Sequence, residues 1–203
     1  MKPGVRAVGI AESYTPGAEE STLAAAVVRA DRVLDGVAYG RCTVGGLDAT
    51  ASSIELLERL DRPDARVCLL GAVAPAWYNL VDIEAIAEAT GIPVIAVTFE
   101  SSDGLEDGLG DAFSGTELTA RLDRYRTLPP RRAIELEAGP DTDRRESETV
   151  YVRTAGLERA DADRYVRAFT PVGGRPEPLR LARLLARAAD DLGANESPIT
   201  DTP

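Results

Sequence analysis

The stretch of sequence that decides the fold is VCLLGAVAPAWYNLVDIEAIAEATGIPVIAVT, residues 67–98. Short apolar runs at 67–70 and 93–97 are typical of strands that are buried on both faces of a parallel sheet. Between these runs, apolar residues recur at helical spacing, at Leu80, Ile83, Ile86 and Ala87. The stretch therefore predicts a βαβ unit, whose ligands bind beyond the carboxyl ends of the strands. Here those ends are residues 71–79 and the loop after Val97.

The rest of the chain predicts a single α/β domain. Three strands are predicted before the unit, at residues 5–10, 23–30 and 33–44, and a helix at 49–60 joins them to it. A tight turn at residues 31–32 makes the second and third strands antiparallel. Together with the parallel unit, this order predicts a mixed sheet flanked by helices.

The C-terminal third of the chain predicts a late strand pair, at residues 133–136 and 149–153, and further helices. The clearest helix spans residues 176–192, with a buried stripe and a glycine at its end; these residues are Leu181, Leu184, Leu185, Ala188 and Gly193. The domain is therefore expected at residues 1–193, followed by a disordered polar tail at 194–203.

Composition excludes several kinds of chemistry. The chain has 203 residues, no histidine, 34 acidic and 23 basic residues, and a net charge of −11. This acidic, halophilic pattern resembles proteins of organisms with a salt-filled cytoplasm. Histidine-based catalysis and Cys/His zinc sites are excluded, and the two cysteines are expected to be buried and reduced in a cytoplasmic protein. The sequence contains no run of about 18 apolar residues, so no membrane span is predicted.

Four segments carry a resemblance to a known family: residues 67–98, GIAES at 9–13, VGGLDAT at 44–50 and RPEPLRLARLLA at 175–186. The chain resembles the archaeal "domain of unknown function 99" proteins, which are distantly similar to endonuclease V. The resemblance implies a ribonuclease-H-like, endonuclease-V-like fold. It also implies a metal-dependent nuclease that cuts beside deaminated adenine, with a divalent ion held by strand-borne carboxylates. The family patterns are close to GIDD and LLDGIAFGGFNVVDI.

The chain departs from these patterns at the carboxylates. Ala11 and Gly71 stand where the family has aspartates, and Arg183 stands where a histidine often follows PEPLR. Only Asp48 remains as a member of the acidic set. Because a divalent ion needs several clustered oxygen ligands, the sequence predicts a degraded metal site that binds Mg²⁺ weakly or not at all.

Two nearby acids could rebuild a site with Asp48. Glu12 follows Ala11, but neighbouring side chains of a regular strand point to opposite faces. Asp82 could be a ligand or a helix-start acid, and Asp48 could be a ligand or an N-cap. A catalytic set of Asp48, Glu12 and Asp82 therefore stays open beside these structural alternatives.

Five residues are candidates for nucleic-acid binding: Trp77, Tyr78, Asn79, Arg180 and Arg183. The two aromatic residues could stack on a base or cover the edge of the core. Arg180 could meet a phosphate or pair with Glu177 across one helical turn.

Three hypotheses for function follow. The first is a protein that binds nucleic acid, single-stranded or damaged, with little or no nuclease activity. The second is an Mg²⁺-dependent endonuclease with the rearranged acids, and the third is a role in protein interaction or structure. The sequence does not predict the oligomeric state.

Overall fold

A computed structural model gives the architecture and describes residues 1–136, 148–170 and 174–195. One sheet contains the strands β1 (Arg6–Ser13), β2 (Glu20–Arg29), β3 (Leu34–Thr43), β4 (Ala65–Leu70), β5 (Val94–Thr98), β6 (Arg132–Leu136) and β7 (Glu148–Ala155). The helices are α1 (Ala49–Leu60), α2 (Pro75–Tyr78), α3 (Ile83–Thr90), α4 (Glu106–Ala112), α5 (Gly115–Thr127), α6 (Arg159–Phe169) and α7 (Glu177–Asn195). The strand order is β3-β2-β1-β4-β5-β7-β6.

The predicted mixed sheet and the βαβ unit are confirmed. β4 is parallel to both β1 and β5, whereas the β1–β2, β2–β3, β5–β7 and β6–β7 pairs are antiparallel. The carboxyl ends of the three central strands therefore meet at one edge of the sheet, as the sequence predicts.

Helices cover both faces of this sheet. Buried side chains of α1 and α3 pack on one face, and those of α6 with the start of α7 pack on the other. Gly9 permits the close approach of α7, because a Cβ atom at this position would lie 2.2 Å from the carbonyl carbon of Pro178. The start of α7 is thereby fixed directly over β1, near the strand ends.

Two details of the last helix differ from the sequence prediction. α7 continues through Gly193 to Asn195, so residues 194 and 195 belong to the helix, and residues 196–203 lie outside the described part of the chain. Leu184 is 57% exposed and Ala188 is exposed, because the sheet side of α7 is formed by Leu179, Ala182 and Ala186 instead. Ala182 and Ala186 are small, and this allows α7 to lie close to β1 and β2.

The two cysteines and the apolarity of the helices were both subjects of prediction from composition. Cys42 and Cys68 are both free and buried, and desolvation raises the pKa of each thiol to about 12. Both therefore behave as small apolar residues at neutral pH. Within the described ranges, no helix has the length and apolarity that a membrane crossing requires.

Two arginines, one near the end of α1 and one just after it, donate to carbonyl groups of β3, which is an edge strand of the sheet. Arg59 donates to the carbonyl oxygen of Tyr39 at 2.6 Å, and Arg62 donates to that of Asp35 at 2.6 Å. The Asp35 carboxylate also accepts from Arg6 and Arg62, and these contacts lower its pKa to about 2. Satisfied carbonyl groups make this edge a poorer template for an added strand.

Candidate functional site

The two positions that lack the family carboxylates lie side by side at the strand ends. Val8 pairs with Cys68 and Ile10 with Leu70, and the Gly71 N–H then donates to the Ile10 carbonyl oxygen at 3.0 Å. A Cβ atom at Gly71 would lie 3.8 Å from the Cβ of Ala11. Ala11 and Gly71 are therefore neighbours at the carboxyl ends of β1 and β4.

A cleft opens over this point, between the strand ends and the start of α7. Charged side chains enter it from two sides, with Glu12 on one and Arg175 and Arg183 on the other. Its remaining lining is mostly apolar or small and includes Leu23, Ser53, Leu70, Ala72, Pro75, Val81, Phe99 and Leu179. The cleft is an arginine-bearing concavity at the end of the sheet where ligands of such folds bind.

The residues present do not fit a divalent ion at this point. Ala11 and Gly71 offer no side-chain oxygen, and no group of three or more Asp, Glu, Cys or His residues converges anywhere in the described ranges. Glu12 stays on a regular strand through its pairing with Leu23, and its carboxylate accepts a hydrogen bond from the Ser21 hydroxyl at 2.7 Å. A single acid of this kind is a poor substitute for a clustered set.

Asp48 was expected to be either a metal ligand or the N-cap of α1, and its side chain has another role in the structure. Its side chain does not cap α1. It accepts hydrogen bonds from the Thr43 N–H at 3.1 Å, the Thr43 hydroxyl at 2.7 Å and the Asn79 amide at 2.5 Å. Burial favours the neutral acid, but the bonds from Thr43 and Asn79 outweigh it and lower the pKa of Asp48. Asp48 therefore fastens the end of β3 to the loop before α3.

Asn79 completes this fastening from the other side. It is fully buried, its amide donates to the Thr43 carbonyl oxygen at 2.8 Å, and its side-chain oxygen accepts from the Ala49 N–H at 2.9 Å. With its polar atoms used inside the protein, Asn79 is not placed to contact a ligand.

Asp82 is a helix cap. Its carboxylate accepts hydrogen bonds from the N–H groups of Glu84 at 3.1 Å and Ala85 at 3.0 Å. This is the N-cap geometry that satisfies the first donors of a helix, so the helix-start alternative is confirmed. The structure does not bring Asp48, Glu12 and Asp82 into one cluster, because each has its own local partners.

The aromatic pair lies in α2, a four-residue segment whose backbone forms a left-handed turn. Ala76, Trp77 and Tyr78 have φ angles of 48°, 57° and 59°, a left-handed conformation that costs non-glycine residues about 1–2 kcal/mol each. When the family pattern LLDGIAFGGFNVVDI is placed on residues 69–83, its two adjacent glycines fall at Ala76 and Trp77. Trp77 is 64% exposed, and its ring meets that of Tyr78 edge-on at 5.7 Å.

Arg121 of α5 holds this turn, and sequence reasoning missed it. It is 4% exposed, it donates to the Gly45 carbonyl oxygen, and its guanidinium lies 3.8 Å from the ring centre of Phe113. The Gly45 N–H in turn donates to the Ala76 carbonyl oxygen at 2.7 Å. No local pattern could have identified this arginine, because the carbonyl groups of Gly45 and Gly46 to which it donates lie about 75 residues away in the sequence.

The arginines near PEPLR divide into two roles. Arg180 donates twice to the Glu177 carboxylate, at 2.8 and 2.6 Å, so the structural alternative is confirmed and the pKa of Glu177 is lowered. Arg183 lines the cleft, as does Arg175, which sequence reasoning missed although it precedes the motif directly. The Arg175 guanidinium stacks 4.2 Å from the ring centre of Phe99.

Comparison with known proteins agrees with this architecture. The model of a family described as Endonuclease dU matches residues 3–190. The chain belongs to the Endonuclease dU family. A UPF0215 protein of Pyrobaculum calidifontis is 33% identical over 180 residues, which cover 88% of this chain and 93% of that protein.

Solved structures show the same fold. A protein of unknown function from Archaeoglobus fulgidus aligns with a TM-score of 0.75 and 25% identity, over 91% of this chain and 98% of that one. Endonuclease V of Ciona intestinalis, solved with a 24mer DNA containing an inosine, aligns with a TM-score of 0.57 and 15% identity. That alignment covers 95% of this chain and 87% of the other. The endonuclease-V-like fold predicted from the resemblance is confirmed.

Proposed function

We propose that this chain binds nucleic acid that contains a deaminated base, and that it does so at the strand-end cleft without a divalent ion. The observation that carries the proposal is that Ala11 and Gly71, which lie side by side in the lining of the cleft, offer no carboxylate. Membership in the Endonuclease dU family and the DNA complex of the Ciona neighbour support nucleic acid as the ligand. The family name favours deoxyuridine.

An exposed aromatic ring on the turn after β4 supports the same proposal. Pro75 lines the cleft, and Trp77 lies two residues further along the same turn with 64% of its surface exposed. An exposed indole that is held on a rigid turn can stack on an unpaired base, which is worth about 1–3 kcal/mol per base. Single-stranded nucleic acid is therefore the preferred form of the ligand.

The test uses the intrinsic fluorescence of the one tryptophan. Single-stranded DNA with one deoxyuridine is titrated into the full chain in EDTA and at high salt, where stacking survives but phosphate attraction is screened. We expect quenching of Trp77 in the wild type. Trp77→Ala has no tryptophan, so the affinities of the variant and the wild type are compared by the fluorescence anisotropy of a labelled oligonucleotide, and we expect binding weaker by about 1–3 kcal/mol in the variant. The matched control is Tyr14→Ala, which removes another exposed ring.

Nuclease activity is measured on the same oligonucleotides with Mg²⁺ or Mn²⁺. We expect no metal-dependent cleavage, because Ala11 and Gly71 cannot ligate a cation. Cleavage that requires Mg²⁺ and disappears in Glu12→Gln or Asp48→Asn would overturn the proposal in favour of a nuclease with rearranged acids. An unchanged affinity in Trp77→Ala, with lower thermal stability, would assign Trp77 to packing instead.

A further inference from the structure

The charge of the cleft is opposite to that of the chain. The charged side chains that line it are Glu12, Arg175 and Arg183, which sum to +1, whereas the whole chain carries −11. Ala11 and Gly71 also line the cleft and carry no acid. The local field at the strand ends therefore favours an anion in a protein whose overall field repels one.

The two arginines are not neutralised by carboxylates in the described ranges. The ion pairs found there involve other arginines, and neither Arg175 nor Arg183 forms one. Residues 171–173, which precede Arg175 closely, are Pro, Val and Gly and carry no charge. Glu12 is the acid nearest in the lining, and its carboxylate is already engaged by the Ser21 hydroxyl at 2.7 Å.

The geometry of Arg175 leaves its donors available. Its guanidinium carbon lies over the Phe99 ring, 4.2 Å from the ring centre, and its N–H donors form no hydrogen bond to the described residues. A planar, pre-oriented guanidinium matches the oxygens of a phosphate, which it binds with two parallel hydrogen bonds. Arg183 reaches the same cleft from α7.

We propose that Arg175 and Arg183 form a phosphate site that holds the nucleic-acid backbone at the strand ends, in place of a cation held by carboxylates. This inference rests on the proposed function and names how the ligand is held there. The phosphate lies on the arginine side of the cleft, away from Glu12. The site accepts either an internal phosphodiester or a terminal phosphate, since both present the same pair of oxygens.

The experiment compares Arg175→Gln, Arg183→Gln and the double variant with wild type in EDTA. The control is Arg66→Gln, which removes the same charge from an exposed side chain at the opposite end of β4. The probes are single-stranded oligonucleotides with and without a 5′-phosphate, and pyrophosphate alone by calorimetry. Affinity is measured over a salt series, and circular dichroism confirms that each variant is folded.

We expect each cleft variant to bind on the order of tenfold more weakly and to flatten the plot of log affinity against log salt by about 0.7 per arginine. Arg183→Lys should restore the salt dependence but only part of the affinity, because it keeps the charge and loses the fork. If the 5′-phosphate raises the affinity of wild type but not of the variants, the site binds a terminal phosphate. If both oligonucleotides bind equally, the site binds an internal phosphodiester.

Failure of the site and failure of the function give different results. Strong nucleic-acid binding that the double variant retains would overturn the phosphate site and leave the proposed function intact. Pyrophosphate binding that the variants abolish, without nucleic-acid binding, would support the site and refute the function. Binding that EDTA removes would overturn both.

Discussion

The side-chain amide of Asn79 donates a hydrogen bond of 2.5 Å to the carboxylate of Asp48, which joins the loop after β4 to the end of β3. This contact gives the acid that remains from the family set a structural role. Asp48 receives three donors from two residues, and its pKa is lowered because these bonds stabilise the charged form.

We therefore predict that Asp48→Ala weakens the fold more than it weakens ligand binding. The Asn79 amide and the Thr43 N–H would each lose a charged acceptor, and hydrogen bonds to charged groups contribute about 1.5–3 kcal/mol. Urea unfolding should show a loss of that size, and nucleic-acid affinity of the folded protein should change less than twofold. A stable Asp48→Ala protein that has lost binding would place Asp48 in the ligand site.

The left-handed turn gives a second prediction. Ala76 has a φ angle of 48° in a position where glycine has no steric penalty. Ala76→Gly should change the free energy of unfolding by less than about 0.5 kcal/mol, because the relieved strain offsets the added chain entropy of the unfolded state and the lost burial of the Ala76 methyl group. Ala87→Gly in α3 is the control and should lower it by about 1 kcal/mol. Equal losses in both variants would show that the turn is unstrained.

The edge of β3 gives a third prediction, for acid pH. Hydrogen bonds from Arg6 and Arg62 lower the pKa of Asp35 to about 2, below its ordinary value of 3.8. A group whose pKa is lowered by folding stabilises the protein above its unfolded pKa and loses that effect as pH falls through the folded pKa. Stability contributed by Asp35 should thus disappear between about pH 4 and pH 2.

The measurement is the melting temperature of wild type and Asp35→Asn between pH 7 and pH 2. The difference between the two proteins should be constant above about pH 5 and should shrink below pH 4. Asp103→Asn serves as a control, because it removes the charge of an exposed acid. A difference that stays constant down to pH 2 would show that Asp35 is not held ionised by the arginines.

Sequence reasoning predicted the fold and the position of the site because both depend on local periodicity and strand order. In the structure, the proximity of Ala11 and Gly71 follows from the parallel pairing of β1 with β4. The partners of Asp48 and Asn79 could not be predicted in this way, because they depend on how three loops meet. The same holds for Arg121 and Arg175. Arg121 packs on Phe113, which is part of no recognised motif, and Arg175 packs on Phe99, which is distant in the sequence.

The last prediction restores the missing carboxylates. The position of a Cβ atom at Gly71 has no contact closer than 3.6 Å, so the double variant Ala11→Asp and Gly71→Asp can be built without a backbone clash. Two carboxylates whose Cβ atoms lie about 3.8 Å apart repel each other without a cation, which should lower the melting temperature in EDTA.

Mn²⁺ or Mg²⁺ should then raise the melting temperature of the double variant, because a ligand that binds only the folded state stabilises it by an amount that grows with the logarithm of the ligand concentration. Wild type should show no such rise, and Ala11→Asn with Gly71→Asn controls for size without charge. Nucleic-acid affinity of the double variant should fall in EDTA, since the new acids would neutralise Arg175 and Arg183. A metal-dependent rise in wild type equal to that of the variant would mean that a cation site already exists and that the cleft is not an anion site.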